Sequence, residues 1–73
     1  MSVIEEKYKE ILGKEIERKR ILMNLGVREL AKLADIEHHQ LINIEKGRVD
    51  VRLSTLLKIA TALELQVKEL LTF

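Results

Sequence analysis

The sequence contains no cysteine, no proline and no tryptophan, and Tyr8 and Phe73 are its only residues with a phenyl ring. Without cysteine it can form neither a disulfide framework nor a thiolate metal site, so an intracellular, cytoplasmic protein is expected. The absence of proline and the low glycine content fit an all-α bundle with an aliphatic core. No apolar run approaches the roughly 20 residues of a membrane span, and the amino-terminal residues lack the pattern of a signal peptide.

Length and net charge limit the possibilities further. A chain of 73 residues allows one domain, residues 1–73, with a small core that self-association would help to stabilise. The formal net charge of +1 neither supports nor excludes nucleic acid, because DNA binding needs a basic face rather than a basic total. No Ser–His–acid arrangement, glycine-rich phosphate loop or cluster of metal ligands is present, so no enzyme, cofactor or metal site is expected.

The stretch from Gly26 to Arg48 predicts two short helices joined by a tight turn. Such helices cross steeply and need small or apolar residues at their contact. Suitable residues fall on one face of each helix and just after the turn: Leu30, Ala31, Ala34, Ile36, Leu41 and Ile44. The second helix then exposes a polar row that can bond to base edges: Glu37, His38, His39, Gln40 and Asn43.

This ordered set of residues resembles the lambda-repressor-like (Cro-type or XRE-type) helix-turn-helix family. The resemblance begins with Leu30-Ala31, Ala34, Ile36, Ile44-Glu45 and Gly47. It continues through Leu53, Leu56-Leu57, Ile59-Ala60, Ala62-Leu63 and Leu70-Leu71. It covers positions 12–71 without a gap and leaves residues 1–11 as an amino-terminal extension of the first helix.

The resemblance implies a five-helix, lambda-repressor-like DNA-binding domain with a central helix-turn-helix at residues 26–46. It further implies a sequence-specific transcriptional regulator, associated with the nucleoid, that binds a near-palindromic site on double-stranded DNA as a homodimer. A phage-type repressor, a restriction–modification controller and an antitoxin with a toxin partner all fit, and the residues do not choose among them. A protein-interaction module on the same scaffold, without specific DNA binding, is the alternative.

The predicted helices are Val3 to Met23, Val27 to Ala34, Glu37 to Lys46, Leu53 to Leu63 and Val67 to Leu71. Asp35 is expected to take a left-handed turn, and Gly47 to end the third helix. Gly13 interrupts the first helix at a cost of about 1 kcal/mol relative to alanine. The apolar positions expected inside are Ile4, Tyr8, Ile11, Leu12, Ile16 and Leu22 or Met23, then Leu53, Leu56, Leu57, Ala60 and Leu63, then Val67, Leu70 and Leu71.

The resemblance implies that His38, His39 and Asn43 point into the major groove as base readers, with Gln40 either a fourth reader or simply a polar surface residue. Neutral histidine can bond to a base edge, and its cation can bind phosphate. The amides of Gln40 and Asn43 suit the edge of adenine. Because adjacent helical residues diverge by about 100°, the two histidines are not expected to face one ion.

Other residues are expected to position the protein on DNA or to hold the helices together. The candidates for phosphate contacts are Gly26, Val27, Arg28, Lys46, Arg48 and Arg52. Val27 replaces the glutamine common in the family, so only its main-chain N–H remains for phosphate. Arg20 and Glu45 resemble the family's ion pair between helices 1 and 3, which would offset the unfavourable position of an acid at a helix carboxyl end.

Two features stay open from sequence alone. Ile42 lies on the outward side of the third helix, where it contacts either a thymine methyl group or a neighbouring loop. Residues 1–11 either pack as extra helix on the body or on a second subunit, or form a solvated helix start.

Overall fold

The computed structural model describes the backbone of residues 3–73 and the side chains of residues 7–73. Four α-helices follow in order, α1 (Val3–Leu22), α2 (Val27–Leu33), α3 (His38–Glu45) and α4 (Leu53–Ala62), and a 3₁₀ turn spans Val67–Glu69. The expected all-α class is confirmed over the described residues, and no helix among them is long and apolar enough to cross a membrane.

The expected fifth α-helix is wrong, because residues 67–69 form a single 3₁₀ turn. Its hydrogen bonds run from Glu69 N–H to the Gln66 carbonyl and from Leu70 N–H to the Val67 carbonyl. The Glu69 carboxylate also accepts from the main-chain N–H of Gln66 at 2.8 Å. A segment this short cannot offset the cost of starting an α-helix and settles into the tighter turn.

All four helices end in the same type of turn, each with one residue of positive φ. The left-handed residues are Asn24 (57°), Asp35 (57°), Gly47 (71°) and Glu64 (58°). In each turn the next residue donates its N–H to a carbonyl five positions earlier, as Ile36 does to Ala31. The left-handed turn expected at Asp35 is therefore confirmed, as is Gly47 at the end of α3.

The core lies where α1 and α2 pack on α3 and where α4 packs on α2 and the 3₁₀ turn. Its buried apolar side chains are Leu12, Ile16, Leu30, Ala31, Ala34, Leu41, Ile44, Leu56, Ile59, Ala60, Leu63 and Leu70. Every helix-turn-helix position expected inside is buried, with Ile36 partly buried against this core. The expected burial of Ile4 lies outside the described side chains.

Several apolar residues expected inside are exposed instead. Leu57 is 50% exposed, because the buried stripe of α4 runs through Leu56, Ile59 and Ala60. Leu53, the first residue of α4, is 65% exposed. Leu57 lies about 100° around the helix from Leu56 and so leaves that stripe. The 3₁₀ turn likewise directs Leu70 inward and leaves Leu71 exposed.

The carboxyl end of α1 also differs from expectation. Leu22 and Met23 are both exposed, although one of them was expected to complete the buried stripe. The helix ends at Leu22, and the chain turns through the left-handed Asn24. Leu25, which follows the turn, packs against the core in their place.

Gly13 is more than an interruption of α1. A Cβ at this position would lie 2.8 Å from the carbonyl carbon of Glu45 and would also collide with the carbonyl oxygen of Ile44. Both obstacles are main chain, so they cannot rotate away. Glycine is therefore what allows the backbones of α1 and α3 to touch.

We predict that Gly13→Ala destabilises the protein by about 1–3 kcal/mol, because overpacking against fixed backbone outweighs the better helix propensity of alanine. Urea unfolding followed by circular dichroism measures the change. The neighbouring exposed Lys14→Ala is the control and is expected to stay within about 0.5 kcal/mol of wild type. Helix propensity alone predicts that Gly13→Ala raises the free energy of unfolding by about 1 kcal/mol, and that result would contradict the close contact between α1 and α3.

Candidate nucleic-acid interface

The outward side of α3 carries the polar row. His39 and Gln40 are exposed, whereas His38, Ile42 and Asn43 are half-buried. On the opposite side, Leu41 and Ile44 are buried in the core. Burial of that side fixes which way α3 faces, so its polar groups stand on the surface.

The two histidines lie closer together than expected. Their ring centroids are 4.3 Å apart with the planes tilted by 31°, although their positions on the helix diverge by about 100°. They occupy the first turn of α3, immediately after the N-cap Glu37. No preceding helical turn restricts their rotamers there. Among the described residues, no group of three potential metal-ligating side chains includes them.

His38 is held towards its neutral form. Partial desolvation lowers the pKa of its imidazole below the ordinary 6.5, the nearby charges of Arg28 and His39 lower it further, and Glu37 opposes them. Arg28 belongs to α2. The charge of Arg28, a candidate for phosphate contact, therefore reaches His38, a candidate base reader on α3.

At the amino end of α2, the main-chain N–H of Gly26 donates to the Glu29 carboxylate at 2.8 Å. Gly26 has extended backbone, and Val27 is half-buried against the core. The first-turn N–H groups of Val27 and Arg28 have no acceptor within the helix. Glu29 was not predicted as a cap, although a glutamate three residues after an N-cap is the usual signal of one.

Three basic side chains follow α3 along the chain. Lys46, Arg48 and Arg52 are all exposed. Arg48 also donates from Nη1 to Oδ1 of Asn43 at 3.1 Å, which joins a candidate for phosphate contact to a candidate base reader. Sequence reasoning missed this bond. Its signal is Gly47, because a glycine that ends a helix brings the residue after it back beside the last turn of the helix.

Arg20 and Glu45 form a bidentate ion pair between α1 and α3. Arg20 Nε donates to Glu45 Oε2 at 2.8 Å and Nη2 donates to Oε1 at 3.1 Å. Arg20 Nη1 also donates to the Leu25 carbonyl at 2.8 Å, which ties α1 to the turn that follows it. The hydrogen bond with Glu45 raises the pKa of Arg20, with burial opposing.

The described part of the amino-terminal extension lies against the body. The Tyr8 ring is 6.3 Å from that of Phe73, centroid to centroid. The carboxylate of Asp50, in the α3–α4 loop, raises the pKa of the Tyr8 phenol. A Cβ on Gly47 would lie 2.9 Å from the Cα of Glu10, so α1 also touches the turn that ends α3.

Comparison with known proteins identifies the family. Residues 15–73 match a family model described as the Cro/C1-type HTH DNA-binding domain. The chain belongs to the Cro/C1-type helix-turn-helix family. The expected lambda-repressor-like resemblance is therefore confirmed. A search of curated proteins found no match.

Solved structures agree with this Cro/C1-type assignment. The restriction-modification controller protein C.AhdI from Aeromonas hydrophila is 28% identical, with 86% of this chain and 96% of that chain covered and a TM-score of 0.85. The clp gene regulator ClgR from Corynebacterium glutamicum is 28% identical, with 86% of this chain and 67% of that chain covered and a TM-score of 0.83. The hypothetical transcription factor NHTF from Neisseria, 24% identical with 86% and 72% covered, shares the fold at a TM-score of 0.82. The protein is thus a DNA-binding transcriptional regulator of the Cro/C1 type.

We predict that Arg20→Met lowers the free energy of unfolding by about 3 kcal/mol, because it leaves the charge of Glu45 buried without its partner. Urea unfolding at neutral pH measures the loss. Arg18→Met on the same helix is the matched control, since Arg18 also pairs with a carboxylate, that of Glu15, but is 57% exposed. The control is expected to leave the unfolding midpoint nearly unchanged. Equal effects of the two substitutions would contradict a special role for the Arg20–Glu45 pair.

Proposed function

We propose that this regulator recognises a near-palindromic operator as a homodimer, with α3 of each subunit in the major groove, and acts as a repressor by covering promoter DNA. The observation that carries the proposal is the outward polar row on α3, in a chain that matches the Cro/C1-type family over residues 15–73. Its place of action is then the bacterial nucleoid in the cytoplasm.

The roles of the side chains follow from their positions. His38, His39 and Asn43, with Gln40 beside them, read base edges because they stand on the outward side of α3. Arg28, Lys46, Arg48 and Arg52 flank that row and contact phosphates, together with the main-chain N–H groups of Gly26 and Val27. Such phosphate contacts fix the register of α3 in the groove.

The restriction–modification controller is the setting that the comparisons support best. C.AhdI, a controller protein, is covered over 96% of its chain at a TM-score of 0.85. The phage-type and antitoxin settings, the latter with a toxin partner, rest on the family resemblance alone.

Exposed apolar side chains support the homodimer. Phe73 and Leu71 are 41% and 43% exposed, and Leu53 and Leu57 of α4 are exposed as well. Leu65 and Val67 are half-buried against the core of their own subunit. A small domain gains stability by covering apolar groups of this kind against a second copy.

We predict that selection from random DNA recovers two inverted half-sites whose centres lie about one helical turn apart, roughly 34 Å, because a two-fold dimer presents two equivalent α3 helices. Sedimentation of the complex with the selected DNA is expected to give two protein chains per operator. Affinity should fall steeply with salt, as counterions return to the phosphates. A single asymmetric half-site bound by one chain would contradict the dimer, and the absence of salt-dependent binding would favour a protein-interaction module.

We predict that operator affinity rises as the pH falls from about 8 to 5.5, because the negative charge of nearby DNA phosphates raises the pKa of His38 above its value in the free protein. Proton uptake then accompanies binding. The gain in affinity is complete below the pKa of His38 in the free protein, which lies under 6.5. It is lost as the pH rises through the pKa of His38 in the complex. Affinity is measured at fixed ionic strength.

The control for the pH experiment is the double variant His38→Gln/His39→Gln. A wild-type curve that superimposes on that of the variant would remove histidine ionisation from the mechanism. If wild type weakened on acidification relative to the variant, a histidine would be reading a base in its neutral form, and the phosphate interpretation would fail.

A further inference from the structure

Gly13 is buried against the last turn of α3. A Cβ at this position would collide with the Ile44 carbonyl oxygen and would stand 2.5 Å from the carbonyl oxygen of Glu45. Both are main-chain atoms, so no side-chain rotation relieves the contact. Ordinary van der Waals contact begins at 3.4 Å, so the Glu45 oxygen would have to retreat from 2.5 Å by about 0.9 Å to admit a methyl group.

Of the two helices, α1 is the more firmly held beside this contact. Leu12 precedes Gly13 directly, Ile16 follows it by about one turn, and both are buried in the core. In contrast, Ile44 and Glu45 are the last two residues of an eight-residue helix. The end of a short helix yields more easily than the middle of a long one. A methyl group on residue 13 would therefore displace the carboxyl end of α3.

The amino half of α3 is held by other neighbours. α2 packs against α3, and Leu41, in the first half of α3, has no exposed surface. His38 and Ile44 are six residues apart, which is about 9 Å along the helix. A push at the carboxyl end would therefore tilt α3 about its amino half, and Asn43 would move further than His38 or His39.

The size of this movement decides whether it matters for recognition. A side chain that makes a specific contact must be held to within about 0.5 Å of its productive position. Asn43 directly precedes Ile44, one of the two residues that a Cβ on Gly13 would push. A displacement of about 0.9 Å at this end of α3 exceeds the tolerance of a base contact.

We propose that Gly13 is a positioning residue for base reading, and that its lack of a side chain sets the place of Asn43 in the major groove. Gly13 is buried behind α3 and acts only through the position of that helix. The inference rests on the proposed function, in which α3 lies in the major groove and Asn43 reads a base.

The experiment is selection from DNA randomised across the operator, with wild type, Gly13→Ala and Asn43→Ala, each shown to be folded by circular dichroism. The base pair read by Asn43 is the one at which Asn43→Ala loses preference. Wild type is expected to discriminate there by about 5–150-fold, the range of a good base contact. Gly13→Ala is expected to lose most of this preference and to leave the other base pairs, including those that the double variant His38→Ala/His39→Ala identifies, within about twofold of wild type.

Controls matched in stability separate this effect from partial unfolding. Ile59 is fully buried in α4, which packs on α2 and the 3₁₀ turn. Ile59→Val and Ile59→Ala bracket the loss of stability expected for Gly13→Ala. They should weaken binding only through the unfolded fraction and leave every base preference in place. Lys14→Ala, at the exposed neighbour of Gly13, should change neither affinity nor preference.

Arg20→Lys provides a second route to the same end of α3 if Gly13→Ala is too unstable to measure. Lysine keeps a positive charge opposite Glu45, but it cannot reproduce the two-point bond to the carboxylate together with the bond to the Leu25 carbonyl. The carboxyl end of α3 is then less firmly placed against α1. The expected result is again a loss of preference confined to the Asn43 base pair.

Each result bears on the proposal. Loss of preference at the Asn43 base pair alone supports it. Weaker binding with every preference in place, as in the Ile59 variants, overturns it, as does the absence of any base pair sensitive to Asn43→Ala. Where only Arg20→Lys can be measured, an unchanged preference in that variant overturns it. All these comparisons require that wild type enriches an operator, and if it enriches none, the proposed function itself fails.

Discussion

Glu45 stands at the carboxyl end of α3, where the helix dipole disfavours a negative charge, and its side chain is only 5% exposed. Such a carboxylate is tolerated only with a well-placed cation, and Arg20 meets it with two hydrogen bonds. The same guanidinium holds the Leu25 carbonyl, just before α2 begins. One side chain of α1 therefore fixes the end of one helix and the approach to another.

Two further contacts join α1 to the same end of α3. Gly13 lets the two backbones touch near Ile44, and Glu10 packs against Gly47 one turn beyond. With the ion pair, these contacts bind the carboxyl half of α3 to the longest helix of the protein. A base reader must be held to within a fraction of an ångström to discriminate, and a short helix cannot do this alone. In the proposed function, this attachment behind α3 would hold its outward side in place against the DNA.

Sequence reasoning succeeded where a local pattern determines the result. The buried positions of α2 and α3 follow from the spacing of Leu30, Ala31 and Leu41, and the turn at Asp35 follows from the tolerance of aspartate for positive φ. It failed at Leu53 and Leu57. Periodicity shows that a helix face is apolar, but it does not show how much of that face a neighbouring element covers.

The contacts between distant segments were also beyond sequence reasoning. From the sequence alone, Gly13 lowers helix propensity, and alanine would be expected to raise the free energy of unfolding. Because α3 packs against Gly13, alanine is instead expected to lower it. The bond from Arg48 to Asn43 depends on a turn geometry that the glycine permits but does not require. In the proposed function, a residue that contacts phosphate and also bonds to a base reader would link the strength of binding to the sequence bound, so loss of its side chain would change both. In the proposed homodimer this link acts twice on each operator, once in each half-site. A mismatch at the base pair read by Asn43 would then be penalised in both halves of a symmetric site, which sharpens discrimination without adding contacts.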